Sequence, residues 1–292
     1  MSNRYEPPTV DAHVHVFKAV GERYPRTVHP MFPADMESRV EDLLHTMEKS
    51  GIEHAVLVPV SEHDDYLADC LREYPGRFAG IGVLAADLSN DAGDAKRRFS
   101  EVGIKGLRVH HLGHPEARKV EDLEAWPVLR LLLDLGGVVW LYVPARQLPL
   151  LEMILDRLDG LPVVLNHLGW PLPDEFEIDQ LGRPSIKEQV PPPTLPIVER
   201  LASYDSVHVM FSGEYAFSDE PFPYSDITDV VRAIYRVYGA RRMLWASDYP
   251  WIKQDPGYEP QLNLIDHYLP ELPEEERAAI MGGTAARLFG FE

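Results

Sequence analysis

Residues 105–143 read KGLRVHHLGHPEARKVEDLEAWPVLRLLLDLGGVVWLYV, and this stretch decides the fold class. A short run, Lys105–His110, is followed by an apolar-periodic stretch, Leu123–Leu135. Gly136-Gly137 then punctuates the chain before a second short run, Val138–Val143. Strand, helix, helix-ending glycine and strand in this order make a parallel βαβ unit. The same alternation extends outward. Further strands are predicted at Val10–Val16, Ala55–Val60, Ala79–Leu84, Val163–Leu168, Val207–Ser212 and Met243–Asp248. Further helices are predicted at Ala34–Lys49, Tyr66–Tyr74, Ala92–Glu101, Leu148–Leu158, Leu195–Ser203, Ile227–Tyr238 and Gln261–Tyr268. A final helix is predicted from Glu274 to Leu288, with Pro273 and acidic residues in its first turn. Eight alternations without a composition break predict one α/β domain over residues 1–292. Its expected form is a single (β/α)8 TIM barrel with an extra C-terminal helix. A doubly wound sheet is the alternative, weakened by the lack of a glycine-rich phosphate loop.

Composition narrows the function classes. The chain has 28 Lys+Arg against 47 Asp+Glu, a net charge of −19, which argues against nucleic acid and anionic membrane partners. One cysteine, Cys70, excludes an intrachain disulfide and a thiolate zinc cluster. Met1–Thr9 has no apolar signal core, and no run approaches the 18 apolar residues of a membrane span. A cytoplasmic protein with a small-molecule substrate is therefore expected, with a homo-oligomer left open. Three predicted loops are long and rich in proline and aromatics: Phe17–Pro33, Gly169–Thr194 and Gly213–Asp226. All three follow strand C-terminal ends, the face on which such a barrel carries its site.

The residues that carry chemistry cluster at the same ends. Asp11-Ala12-His13-Val14-His15 closes the first strand. Period two places both histidines on one face, with Asp11 deeper on it. His167 ends the sixth strand and Asp248 the eighth. A carboxylate there can ligate a metal, serve as a general base, or simply cap the next segment. Around a barrel mouth, His13, His15, His167 and Asp248 would converge. That imidazole and carboxylate set suits one divalent ion, zinc first, with manganese or iron as alternatives. Arg108 near the end of the fourth strand suits bidentate carboxylate recognition, or equally a structural ion pair. Tyr142 ends the fifth strand, and Trp170 follows the sixth. Both are candidates for substrate contact, with core packing as the other reading. His110 shares the parity of Arg108 and His111 does not. His208 lies early in its strand, and Glu214 is expected to be solvated. Tyr215, Tyr249 and Trp251 also follow ligand-bearing strands, suggesting a flat substrate wall.

Six segments in order carry a resemblance. They are Asp11–His15, Gly103–Arg108 (GIKGLR), Asn166–Pro171 (NHLGWP), Ser212–Tyr215 (SGEY), Ala246–Trp251 (ASDYPW) and Gly282–Phe289 (GGTAARLF). With them the chain resembles the amidohydrolase-related family of the amidohydrolase superfamily, nearly end to end. The resemblance implies a (β/α)8 barrel and an active site at the strand C-terminal ends. It implies His13, His15 and His167 as the family histidines. Asp248 matches an aspartate that ligates metal in the decarboxylases and activates water in the lactonases. Two departures stand out. Lys105 lies too early in its strand for the bridging carboxylated lysine of binuclear members. The fifth strand offers Trp140 and Tyr142 where such members have a histidine. A mononuclear site is therefore expected, and some lactonase relatives keep the histidines yet work without metal.

The leading expectation is a hydrolase that activates water to open a lactone or related ester of a small carboxylated substrate. In it Asp248 is the general base and His167 acts beside it. The alternative is a metal-dependent, non-oxidative decarboxylase of an aromatic or muconate-type acid. A third reading is a non-catalytic binding protein retaining the pocket.

Overall fold

The computed structural model describes residues 7–85, 92–186 and 188–291. The first six residues of the polar N-terminal segment thus lie outside the described residues. Eight parallel strands run in chain order around the molecule: β1 (Val10–His15), β2 (His54–Val58), β3 (Phe78–Val83), β4 (Gly106–Val109), β5 (Val138–Leu141), β6 (Val163–Leu165), β7 (Val207–Phe211) and β8 (Met243–Trp245). The barrel closes at the β8–β1 seam. There Tyr249 O accepts from His15 N at 2.7 Å, and His13 O accepts from Asp248 N at 3.1 Å. Strands such as β5 (VVWL) and β6 (VVL) are apolar throughout because both of their faces are covered.

Helices fill the crossovers: α1 (Val40–Ser50), α2 (Asp65–Glu73), α3 (Ala92–Glu101), α4 (Trp126–Asp134), α5 (Leu150–Leu155), α6 (Leu195–Leu201), α7 (Glu214–Phe217) and α8 (Thr228–Tyr238). Each longer helix buries one apolar stripe, as α8 does with Val230, Val231, Ile234 and Tyr238. The core has two parts. The larger lies between strands and helices. The smaller fills the barrel with Val10, Ala12, Val56, Ile81, Trp140 and Leu244 among others. The C-terminal helix α12 (Thr284–Phe289), reached through α9 (Tyr258–Leu262), α10 (Leu264–Tyr268) and α11 (Glu274–Ala278), adds Ala285, Ala286 and Phe289 to it. Phe289 meets Trp140 edge-on at 5.6 Å. No helix among the described residues is long and apolar enough to cross a membrane.

The predicted strands Val163–Leu168 and Met243–Asp248 stop at Leu165 and Trp245, so His167 and Asp248 follow their strands rather than end them. Three further elements depart from the sequence reading. The first helix begins at Val40 rather than Ala34. Residues before it pair with the β1 loop, Ser38 and Phe17 exchanging backbone hydrogen bonds. The predicted Gln261–Tyr268 helix is two short helices, broken at Asn263 (φ −96°, ψ 0°). The predicted final helix opens into a π turn at Ala279–Gly283. That turn packs on the entry to β1, where a Cβ on Gly282 would collide with Pro8 O. A wider helical turn lets the backbones meet at this glycine.

One irregularity positions the site. Along β1, Asp11 is opposite Ala55 while Val14 is opposite Leu57, so β1 holds an extra residue in a bulge. The bulge reverses the inward parity. Val10 and Ala12 point into the barrel, and beyond them His13 and His15 do. Asp11 therefore does not share the histidine face, contrary to strict period two. It faces the β8 seam instead, accepting from Ser247 N (2.9 Å), Ser247 Oγ (2.5 Å) and the Tyr258 hydroxyl.

Candidate active site

The ends of β1 and β8 bring three groups together. His13 Nε2 and His15 Nε2 are 3.1 Å apart, and Asp248 Oδ1 lies 3.6 Å from each. Asp248 follows β8 in the left-handed region, at φ 59°. His167 follows β6 in the same region, at φ 50°. Non-glycine residues adopt this conformation at a cost, and such strain gathers at functional sites. The two turns aim polar side chains at the mouth. His167 stands edge-on to His13 at 5.6 Å between ring centroids, and Ser212 Oγ holds its Nδ1 at 2.9 Å.

Asp248 is the most informative group. It is only 4% exposed. Burial pushes its carboxyl from 3.8 up to about 6, opposed by the Tyr215 hydrogen bond and by Arg108. The Tyr215 hydroxyl donates to Oδ2 at 2.6 Å, while Oδ1 is buried without a hydrogen-bond partner. The histidines are held neutral. Burial lowers His13 and His167 far below the ordinary range and takes His15 and His110 to about 3. Arg108 adds to each of these shifts by repulsion.

Arg108 sits inside the mouth, 9% exposed. Its guanidinium lies 5.4 Å over the Tyr142 ring, and among the described residues no carboxylate pairs with it. Asp248 attracts it from beyond salt-bridge distance. Tyr142 in turn meets His167 at 5.1 Å, edge-on. Trp170 is placed differently from an open wall. It is 2% exposed and stacks on Phe217 at 4.8 Å, leaving its buried Nε1 without a partner. Trp251 approaches His15 at 6.4 Å. His208 bonds Ser206 O near the start of β7, away from the mouth, and His111 bonds Gln147. Lys105 is exposed and precedes β4.

Two residues go beyond the sequence reading. Glu214 is fully buried rather than solvated. Gln261 Nε2 bonds one of its oxygens at 2.9 Å, the other has no partner, and burial pushes it to about 7. Only the packing of α7 against α9 could reveal this. Trp140 donates its indole N–H to His13 Nδ1 at 2.8 Å. Its parity with Tyr142, the residue just past β5, was the available signal.

The residue types and spacing suit a divalent ion: His13, His15 and Asp248 offer ligand atoms all within 4.8 Å of one another. The proton positions oppose one. His13 Nδ1 accepts from Trp140, so a neutral His13 carries its hydrogen on Nε2. That nitrogen then has no lone pair for a metal, and the set does not fit an ion in this hydrogen-bonded state.

Comparison with known proteins agrees with the barrel fold. Residues 10–291 match the model of a family described as Amidohydrolase. A 4-sulfomuconolactone hydrolase of Rhizobium radiobacter is 25% identical, over 96% of this chain and 89% of its own. An L-fucono-1,5-lactonase of Burkholderia ambifaria is 23% identical, over 82% of this chain and 80% of its own. Among solved structures, an amidohydrolase from Burkholderia multivorans with bound zinc superimposes with a TM-score of 0.71. It is 23% identical and covers 98% of this chain and 100% of its own. A 5-carboxyvanillate decarboxylase from Sphingomonas paucimobilis superimposes with a TM-score of 0.64 at 17% identity, over 98% and 99%. At these identities the superpositions speak for the fold.

Proposed function

This chain belongs to the amidohydrolase family, and from that premise we propose that it opens a lactone or related ester of a small anionic substrate, with Asp248 as general base. One observation carries the reading. A buried carboxylate, pushed up to about 6 and with one oxygen unpartnered, faces the same mouth as a buried guanidinium that has no carboxylate at salt-bridge distance among the described residues. A base near this value is ionised at neutral pH yet strong enough to accept a proton. Arg108 without such a partner is suited to a carboxylate or sulfonate of the substrate.

Arg108 and Tyr142 hold the anionic group and turn the ester carbonyl toward the histidines. His167 Nε2–H is the donor to the carbonyl oxygen when Nδ1 accepts from Ser212. The single Nε2 hydrogen of His13 goes to His15 and steadies the pair beside it. Asp248 Oδ1 takes a proton from water as its oxygen attacks the carbonyl carbon. Tyr215 holds the other carboxyl oxygen, so the base keeps its aim through its own protonation. The tetrahedral adduct then collapses, the ring C–O bond breaks, and Asp248 returns the proton to the leaving oxygen. One water and one lactone become one hydroxy acid. The curated relatives named for lactone hydrolysis support this choice of bond.

The test is turnover on a panel of carboxylated, sulfonated and neutral lactones by wild type and Asp248→Asn. Loss of an anionic lactone, reduced roughly 10²–10⁴-fold in the variant, is expected. Undiminished turnover by Asp248→Asn would refute the base. Carbon dioxide release from an aromatic acid, with no lactone turnover, would replace hydrolysis by decarboxylation.

A further inference from the structure

The hydrogen bonds around the histidine pair run in one direction only. The Trp140 indole is a donor with no acceptor capacity, and it points at His13 Nδ1 at 2.8 Å. His13 Nδ1 must therefore accept, and the neutral ring carries its hydrogen on Nε2. At the far end, His15 Nδ1 faces Val58 O at 3.0 Å. A carbonyl only accepts, so His15 carries its hydrogen on Nδ1 and leaves Nε2 as an acceptor. The two Nε2 atoms are 3.1 Å apart, and only one arrangement joins them: His13 donates and His15 accepts. Both ends of the chain of bonds are fixed by groups that cannot reverse. The reverse tautomer of His13 would set two N–H groups head to head inside a fully buried core.

We propose that Trp140 is a positioning residue that locks His13 as a hydrogen-bond donor and so holds the His13–His15–Asp248 cluster out of its metal-binding state. Ligation through His13 Nε2 requires the hydrogen to leave that atom. Moving it to Nδ1 breaks the Trp140 bond and strands the buried indole N–H. Leaving a buried donor unsatisfied weakens binding by about ten- to a hundredfold. In the locked state the one hydrogen of neutral His13 lies between the two Nε2 atoms, where it ties His13 to His15 and leaves His13 no lone pair toward an ion. Metal-ligating histidines ordinarily give their second N–H to a carbonyl or carboxylate, which frees the other nitrogen for the ion. His15 has that arrangement and His13 has its opposite.

Trp140 is in the barrel core and packs on Phe289, so a smaller residue could unfold the chain. The test therefore begins with the unaltered protein. Metal-stripped protein labelled with ¹⁵N-histidine reports each tautomer through long-range proton–nitrogen correlations, His13 and His15 being assigned by loss of peaks in His13→Gln and His15→Gln. His13 as Nε2–H and His15 as Nδ1–H are expected. His13 as Nδ1–H overturns the proposal. Zinc affinity is then measured by competition with a chromophoric chelator in wild type, Trp140→Phe, and a protein with a benzothienyl side chain at position 140. The benzothienyl group keeps the ring shape and lacks the N–H. Zinc binding at least tenfold tighter in the folded substituted proteins supports the lock. Equal affinity in the benzothienyl protein overturns it. Neither readout depends on the reaction catalysed, so a failure here is separable from a failure of the hydrolase reading.

Discussion

Replacing Asp248 by asparagine should abolish the base and at the same time stabilise the fold, by an amount that depends on pH. The folded carboxyl sits at about 6 and the reference value is 3.8. At about 1.4 kcal/mol per pH unit, holding this group ionised when folded opposes stability by roughly 3 kcal/mol. The sign follows from proton binding. Between 3.8 and about 6 the folded chain holds a proton that the unfolded chain has lost. Rising pH therefore destabilises wild type through that window and leaves it fully penalised above it. The substituted amide has no charge to bury, and its oxygen still accepts from Tyr215. Asparagine is also among the residues that tolerate the left-handed backbone found here. Asp11 is also pushed up to about 6 and is present in both proteins; only its repulsion of Asp248, a minor cause of the Asp248 shift, is lost in the variant. The difference in stability between the two should grow by about 2 kcal/mol from pH 4.5 to pH 8. For a domain of this size the variant should melt roughly 5 °C above wild type at pH 8. The assay is thermal and urea unfolding of both metal-stripped proteins across that range. A difference that is flat, or that shrinks as pH rises, would refute the buried, destabilised base.

Three further outcomes are expected. In Tyr215→Phe the lost hydroxyl no longer favours the carboxylate. The acid limb of kcat/KM, expected near pH 6 in wild type, should move up by about one unit, visible in pH–rate profiles; an unmoved limb would separate Tyr215 from the base. Arg108→Gln should raise KM for anionic lactones about tenfold or more and leave neutral lactones nearly unchanged, with Arg108→Lys between them. A uniform loss across the panel would remove the anion-binding role. Gly282→Ala sets a Cβ against Pro8 O at a distance no packing tolerates. It should lower stability by about 2 kcal/mol or more, read by urea unfolding, and a neutral result would dissolve the π-turn contact described above.

Much of this molecule was legible along the chain because the governing signals are local. Strand–helix alternation specifies a parallel barrel, since each amphipathic crossover must bury its stripe on the next strand. Residues at strand C-terminal ends then meet at one mouth whatever the loops do, which is why His13, His15, His167, Asp248 and Arg108 could be named together. What packing alone decided depends on contacts between residues far apart in sequence. The β1 bulge turned Asp11 away from the histidines, and period two cannot register one added residue. Glu214 is buried because Gln261, 47 positions on, receives it. Among the described residues Arg108 has no carboxylate at salt-bridge distance, because its immediate neighbours are aromatic and imidazole rings and Asp248 acts on it from farther off. The proton on His13 is placed by Trp140, 127 positions away, through a single donor that has no other orientation available. The sequence determined which groups gather at the mouth. Tertiary structure decided which of them donate, accept or remain without a partner, because burial and hydrogen-bond direction exist only once distant strands are side by side.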